Sequence, residues 1–242
     1  AKVFNEDTVT IHEEMESNST DMILTSIPFG DHYEYSDNYN DMGHNHGNEN
    51  FFKQMDFLTP NLLRTLKPGR IAAIHVKDRI RYSYQNGTSF TTIDDFSGKT
   101  VAHFVKHGFY LIGKITVTTD VVRENNQTYR LGWSEQCKDA SKMGVGLPEY
   151  ILLFRKAPSD NSNAYADEPV FKTKAEYNRA NWQLDAHAYW RTDGNRFISS
   201  EELKTMEMGT MFNAWKKFNK NNIYSFREHL QTCEELDDNG RL

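Results

Sequence analysis

The sequence predicts an α/β fold built on a doubly wound, mainly parallel sheet, and three observations carry that prediction. Short apolar runs alternate with segments of helical spacing through the first 157 residues. One helical segment stands between two compact apolar runs, the pattern of a strand–helix–strand crossover. The chain of 242 residues has the length for one large domain, or for one of about 150 residues with a smaller appendage.

Taken in order, residues 2–5 read as a short strand that ends at Glu6-Asp7, and residues 8–17 as a helix capped by Asp7 or Thr8. Asp21-Met22-Ile23-Leu24-Thr25 is a compact apolar strand that runs into Ser26-Ile27-Pro28-Phe29-Gly30. The polar loop of residues 31–48 is too long for an idle connection. Residues 50–66 are helical, because Phe51, Met55, Leu58, Leu62 and Leu66 recur at spacings of three and four. Pro60 is expected to turn or kink that helix, and Lys67-Pro68-Gly69 to stop it. Residues 71–76 form a buried strand ending at Lys77-Asp78, and a second loop follows to Thr91. Residues 93–107 read as a helix stopped by Gly108, with Ser97-Gly98 as a point of interruption. Residues 109–118 and 150–154 supply two further strands. The polar, turn-rich run from Ala157 to Asn163 marks a boundary. It separates a region of residues 1–157 from a smaller added module of residues 158–242, with helices expected over 201–218 and 225–236.

Composition narrows the function classes. No apolar run approaches the ~18 residues of a membrane span, and the acidic, amphipathic start does not read as a signal peptide. The missing initiator methionine leads to the expectation of a fragment or a processed chain. Cys137 and Cys233 are isolated, with no zinc pattern and no disulfide framework, which fits a reducing cytoplasm. The net charge of −6 argues against nucleic acid, but its distribution does not. Residues 1–50 carry 11 acids and 1 base, residues 51–157 carry 16 bases and 9 acids, and residues 158–242 carry 11 bases and 14 acids. The basic middle can present a positive face to phosphate, although a solvated surface reads the same way.

Chemistry concentrates at Ser26-Ile27-Pro28-Phe29, which stands where an apolar strand ends. In open α/β sheets ligands bind beyond the carboxyl ends of strands, although a proline turn closing a strand gives the same four residues. Lys77, Arg79 and Arg81 follow the strand of residues 71–76, at the same expected sheet edge. Arg123 and Arg130 flank Glu124-Asn125-Asn126-Gln127, a set rich in base-reading side chains. Tyr33, Tyr35 and Tyr39 alternate with polar residues and serve either to stack on bases or to pack the loop surface. His32, His44 and His46, with Asp31 and Asp41, are too irregularly spaced for a metal centre, and none is expected. His75 lies inside a strand and reads as a satisfied core histidine. Trp215, Lys216, Lys217, Phe218 and Lys220 read as a solvated helix face.

These residues carry a resemblance. DNA amino-methyltransferases place (Asp, Asn or Ser)-Pro-Pro-(Tyr, Phe or Trp) at the end of a hydrophobic strand, and residues 21–29 resemble that segment. The upstream strand, acidic turn and helix also match, as do Leu66-Lys67-Pro68-Gly69-Arg70 and the late strand Pro148-Glu149-Tyr150-Ile151-Leu152-Leu153-Phe154. The resemblance covers residues 1–157. It is nearest to phage and bacterial modification enzymes whose catalytic motif precedes the glycine-rich cofactor motif. It implies the S-adenosylmethionine-dependent methyltransferase type of sheet, S-adenosylmethionine as cofactor and double-stranded DNA as partner. It implies catalytic roles for Ser26, Ile27, Pro28 and Phe29, and cofactor contacts for Asp7 and Thr25. DNA contacts fall to Tyr33, Tyr35, Lys77, Arg79, Arg123 and Arg130. Asp7 serves equally well as a plain helix cap.

The residue types suit the implied chemistry. An exocyclic base amine is a poor nucleophile because its lone pair is delocalised into the ring. The Ser26 hydroxyl and the Ile27 carbonyl would accept its hydrogens and localise that pair. Phe29 would stack on the base once it has left the duplex, and Pro28 would hold the turn. Serine in first place favours the 4-amino group of cytosine over the 6-amino group of adenine. Two departures stand out: Ile27 replaces a proline, and the cofactor loop, Asp-Pro-Phe-x-Gly-(Ser or Gly), is absent. Gly144-Val145-Gly146 is not followed by a helical pattern and does not replace it. The remainder of a parent chain carrying the loop is therefore an expected partner, with a homodimer left open. Two alternatives stay open as well: a degenerate methyltransferase-fold subunit that only binds DNA, and a protein glutamine methyltransferase.

Overall fold

The computed structural model describes residues 3–30, 34–117, 137, 148–179, 181–182 and 207. The chain divides into two compact units, Ala1–Pro169 and Val170–Leu242. The first contains α1 (Thr8–Glu14), β1 (Thr20–Ser26), α2 (Asn48–Thr65), β2 (Leu66–Lys77), β3 (Arg79–Arg81), α3 (Ser83–Asn86), β4 (Thr92–Asp94), α4 (Phe96–Lys106), β5 (Tyr110–Val117) and β6 (Glu149–Arg155). In the second, Thr173 Oγ1 donates to Glu176 at 2.8 Å and the Lys172 ammonium lies 4.3 Å from the centre of the Tyr177 ring. The helices expected over residues 201–218 and 225–236, with the basic-aromatic stretch at 215–220, lie outside the described residues.

The main sheet has the order β1-β2-β6-β5, and β3 and β4 form a separate antiparallel pair. β1 and β2 are parallel, with Ile23 opposite Ala72 and Ser26 opposite His75. The expected parallel neighbours, with a helix between them in sequence, are therefore present. The expectation of a mainly parallel sheet is corrected, because β6 runs antiparallel to both β2 and β5. An apolar run such as Ile151-Leu152-Leu153-Phe154 buries equally well in either direction, so its composition does not encode its sense. The strand expected at residues 2–5 is also corrected: residues 3–5 are irregular and lead to the Asp7 cap of α1.

α2 follows from its apolar stripe, and Phe51, Met55, Leu58 and Leu62 are buried. Pro60 sits inside the helix without ending it. Its fixed φ is helical, so one hydrogen bond is lost and the packed stripe carries the helix onward. Leu66 is already the first residue of β2, and Lys67-Pro68-Gly69 belongs to that strand. Gly69 has φ +80°, and a Cβ there would collide with the backbone of Ala166. Residues 93 and 94, expected in a helix, belong to β4 instead. α4 begins after Asp95, whose side chain accepts from the Gly98 amide at 2.8 Å. A Cβ on Gly98 would collide with that carboxylate, so this glycine serves the cap and does not interrupt the helix.

One face of the sheet carries the core. Ile23, Ala72, Ile74, Val76, Leu152 and Phe154 pack with Phe51, Met55, Leu58, Leu62, Phe96 and Phe104 of α2 and α4. Phe104 stacks on Phe154 at 4.7 Å, and Phe96 lies 5.5 Å from both Phe51 and Phe52. Each fully buried side chain of this kind contributes roughly 1.5–3 kcal/mol. Strand residues of the other parity, Met22, Leu24, Ser26, His75 and Lys77, turn to the opposite face. Met22 and Leu24 are 55% and 71% exposed there, so this is the open side of the edge strand.

The Arg64 guanidinium ties α1 to α2. It donates to the Met15 carbonyl at 2.7 Å, to Ser17 Oγ at 3.1 Å and to the His12 carbonyl at 2.5 Å, while its Nε donates to Asn61 Oδ1 at 3.1 Å. Those bonds satisfy backbone carbonyls that the end of α1 leaves without helical partners.

Candidate functional site

β1 delivers Ser26 to the carboxyl end of the parallel pair, and the chain then turns sharply. Ile27 is buried in the core, which anchors the turn, while Pro28 and Phe29 are half-buried. Gly30 closes the turn in the left-handed region at φ +69°. A Cβ there would stand 2.5 Å from Asn48 Oδ1 and 3.0 Å from Arg79 Nη2, so only glycine lets the turn settle this closely.

The surface beneath Gly30 is a buried polar knot. Asn48, at the start of α2, donates to Asp94 Oδ2 at 2.5 Å and accepts from Arg79 Nη2 at 2.5 Å. Arg79 also reaches Asp94 at 3.4 Å, and Lys99 and Arg81 pair with the same carboxylate. Burial pushes the Asp94 carboxyl up, but Lys99, Asn48 and Arg79 outweigh it and hold the group below the usual carboxylate range. Removing one partner from such a knot leaves a buried charge unpaired, which is why it fixes the turn above it.

A hydrogen-bonded chain runs along the open face from Ser26. Ser26 Oγ lies 2.9 Å from His75 Nδ1, and His75 Nε2 lies 2.9 Å from Glu149 Oε2. Lys77 donates to the other oxygen, Glu149 Oε1, at 3.1 Å. β2 carries His75 and Lys77 on one face, and the β2–β6 register sets Glu149 opposite Lys77. The bond from His75, helped by Lys77 against the penalty of burial, holds the Glu149 carboxyl at about 2. Phe29 closes this end edge-on, with its ring centre 5.8 Å from that of His75 and 6.2 Å from that of Phe96.

The residues singled out from sequence fall into three groups. Ser26, Ile27, Pro28, Phe29 and Lys77 gather at this sheet end. Arg79 lies beneath it, with a side chain only 8% exposed, and its guanidinium braces the knot. Asp7 accepts from the Val9 and Thr10 amides at the start of α1, and Thr25 is an exposed residue of β1 beside Ser26, paired with Ile74. Tyr35 is 73% exposed in the loop, where its amide and that of Ser36 donate to Asp41 at 2.7 Å. Tyr33, Arg123 and Arg130 lie outside the described residues, as do Asp31, His32 and Gly144-Val145-Gly146. His75 and Glu149 were missed as functional residues. For His75 the available signal was strand parity, since Lys77 shares its face and Ser26 lies opposite it.

No known family model matches the sequence, and no curated protein matches it. Among solved structures the chain is similar to TTHA0409 of Thermus thermophilus, assigned as a DNA modification methylase. With the form complexed with S-adenosyl-L-methionine, identity is 18% over 77% of this chain and 61% of that chain, and the TM-score is 0.46. With another crystal of the same protein, identity is 16% over 77% and 62%, and the TM-score is 0.48. The chain is also similar to the cytosine-N4-specific PvuII DNA methyltransferase, at 14% identity over 75% and 61%, with a TM-score of 0.43. The structural similarity is thus to DNA modification methylases at low sequence identity, and this chain spans about three fifths of their length.

Proposed function

We propose that this chain supplies the target-base side of an S-adenosylmethionine-dependent DNA amino-methyltransferase, with the 4-amino group of cytosine preferred over the 6-amino group of adenine. The observation that supports the reading is the chain Ser26–His75–Glu149 at the carboxyl end of β1 and β2, with Phe29 beside it.

The hydrogen-bond directions follow from charge. An ionised Glu149 only accepts, so His75 Nε2 donates to it, and in the neutral ring, the form this step requires, Nδ1 keeps its lone pair. Ser26 must then donate its hydroxyl hydrogen to Nδ1. Both Ser26 lone pairs are left to accept from the hydrogens of an exocyclic amine, which draws the nitrogen lone pair out of conjugation. A methylated amine nitrogen is cationic and must lose a proton. Ser26 Oγ takes that proton as its own passes to His75 Nδ1, and Glu149 stabilises the imidazolium. Phe29 offers its ring to a base turned out of the duplex.

S-adenosylmethionine supplies an electrophilic methyl group when bound. The described residues do not fit it. Asp7 Oδ1 is taken up by the α1 cap, and the turn after β1 is packed against Asn48 and Arg79 with no space for a side chain at Gly30. The chemistry of the described residues therefore ends at the amine, its hydrogens and their acceptors. Double-stranded DNA is the partner this reading requires, with Tyr35 and the half-exposed Arg81 as contacts and residues 158–242 as the recognition module. No helix among the described residues is long and apolar enough to cross a membrane.

The same geometry supports a second reading. A serine bonded to a histidine that a carboxylate orients is also the arrangement of an activated serine nucleophile in acyl transfer. Transfer of labelled methyl to duplex oligonucleotides by the full-length protein separates the two. Ser26→Ala is expected to lower turnover more than DNA affinity, because the acceptor acts mainly in the transition state. Unchanged methylation in Ser26→Ala, together with covalent labelling of Ser26 by a fluorophosphonate, would replace the proposal with a hydrolase. Label found in protein glutamine and not in DNA would move the site to amide-nitrogen methylation.

A further inference from the structure

A second constellation lies in the helical layer, apart from the Ser26 face. His103 occupies the last turn of α4 and His107 is its C-terminal cap. Asp56 of α2 faces both. His107 Nε2 lies 2.6 Å from Asp56 Oδ1, and His103 Nδ1 lies 3.8 Å from the same oxygen. The three donor atoms fall within 4.8 Å of one another, and the two imidazole centres are 4.6 Å apart. Histidines four residues apart on a helix present their nitrogens to one point beside it, as zinc-binding helices do. Donors around a tetrahedral zinc with bonds of about 2.0–2.1 Å stand about 3.3 Å from one another. The two distances to Asp56 bracket that value, so small side-chain rotations bring the three into place.

We propose that Asp56, His103 and His107 form a binding site for a divalent transition-metal ion of the zinc class, with water as the fourth ligand, and that the ion staples α2 to α4. The donor set suits zinc, cobalt or nickel better than calcium or magnesium, which prefer oxygen alone. Burial is graded across the site. The His103 side chain is 5% exposed, that of His107 15% and that of Asp56 38%, so one ligand is rigidly held and one opens to solvent. Thr59 Oγ1 lies 2.9 Å from His103 Nε2, the second partner that orients a metal-bound histidine. Two groups compete with the ion. The Lys106 ammonium sits 3.3 Å from Asp56 Oδ1, and its 66% exposed side chain must swing into water. A proton on His103 Nδ1 is the second competitor, because that nitrogen binds a metal only in the neutral ring whose Nε2 is turned to Thr59 Oγ1. The site departs from the expectation of no metal, which weighed the irregular histidines of the loop. It does not rest on the methyltransferase reading.

The test uses the chain stripped by chelator, titrated calorimetrically with zinc chloride and melted with and without the ion. The expected result is one zinc per chain and a higher melting temperature with zinc. His107→Ala and Asp56→Ala should lose both, while Thr59→Val should bind about 10–100-fold more weakly. His107→Cys, which restores a zinc ligand, should recover binding and guards against a mere folding defect in the alanine variants. Cobalt chloride should give the visible ligand-field absorption of a four-coordinate ion in the wild type and in His107→Cys. A wild type that takes up no zinc overturns the proposal. So does zinc that binds His107→Ala and the wild type alike.

Discussion

Glu149→Gln tests the hydrogen-bonded chain most directly, because it removes one charge and keeps the shape. In the folded chain the Glu149 carboxyl is held at about 2, against an ordinary 4.5. At ~1.36 kcal/mol per pH unit, that gap corresponds to roughly 3 kcal/mol of stability at neutral pH. The side chain is 24% exposed, so solvent screening trims the figure, and glutamine still accepts one bond. A loss of about 1.5–3 kcal/mol is expected at pH 7, the range for hydrogen bonds to charged groups. The sign follows from proton binding. The unfolded chain takes up the proton as pH falls below 4.5, while the folded chain resists until about 2. The stabilisation is therefore full above pH 4.5 and disappears towards pH 2. Urea unfolding of both proteins across that interval gives the difference directly. The reasoning fails if the two proteins are equally stable at pH 7. It fails equally if their difference stays constant as the pH falls, since a pH-independent loss belongs to packing and not to charge.

Three further outcomes are expected. Phe29→Ala should lose roughly 1–3 kcal/mol of base stacking, about a 5- to 150-fold fall in single-turnover methylation by the full-length protein, whereas Phe29→Tyr keeps the ring and should be mild. Calorimetric titration of this chain with S-adenosylmethionine should give no micromolar binding, and micromolar binding would show that the described residues hold more of the cofactor site than their geometry indicates. Gly30→Ala should destabilise the chain by roughly 1–3 kcal/mol through overpacking alone, since its Cβ would meet Asn48 and Arg79 at a left-handed φ; unchanged thermal melting would mean that the turn does not rest on the buried knot.

The parts legible in the sequence were those with local signals. The apolar run before Ser26, the three-and-four stripe of α2 and the apolar core of β2 located the motif at a strand end, and the parallel β1–β2 pair followed. Strand sense was not legible, because hydrophobic burial has no direction, and β6 turned out antiparallel. Asp95 and Gly98 form a cap whose meaning appears only once the carboxylate is seen where a Cβ would be. The catalytic candidate was half legible. Ser26 and Phe29 carry the motif, but Glu149 lies 74 residues from His75 in sequence, and only the β2–β6 register brings them together. His75, read as a core histidine, stands on the open face because the helices cover the other parity of β2.

The guanidinium of Arg64 has a consequence for how the molecule breathes. α1 is a helix of 7 residues, too short to persist in water by itself. Its terminal carbonyls are held by a side chain that projects from the last turns of α2, so α1 loses that hold when the end of α2 opens. In native-state hydrogen exchange α1 should therefore lose protection whenever the end of α2 opens, with an opening free energy no higher than that of α2. The amide protection of α1 then becomes a remote gauge of order at the carboxyl end of α2, where β2 begins its course towards His75.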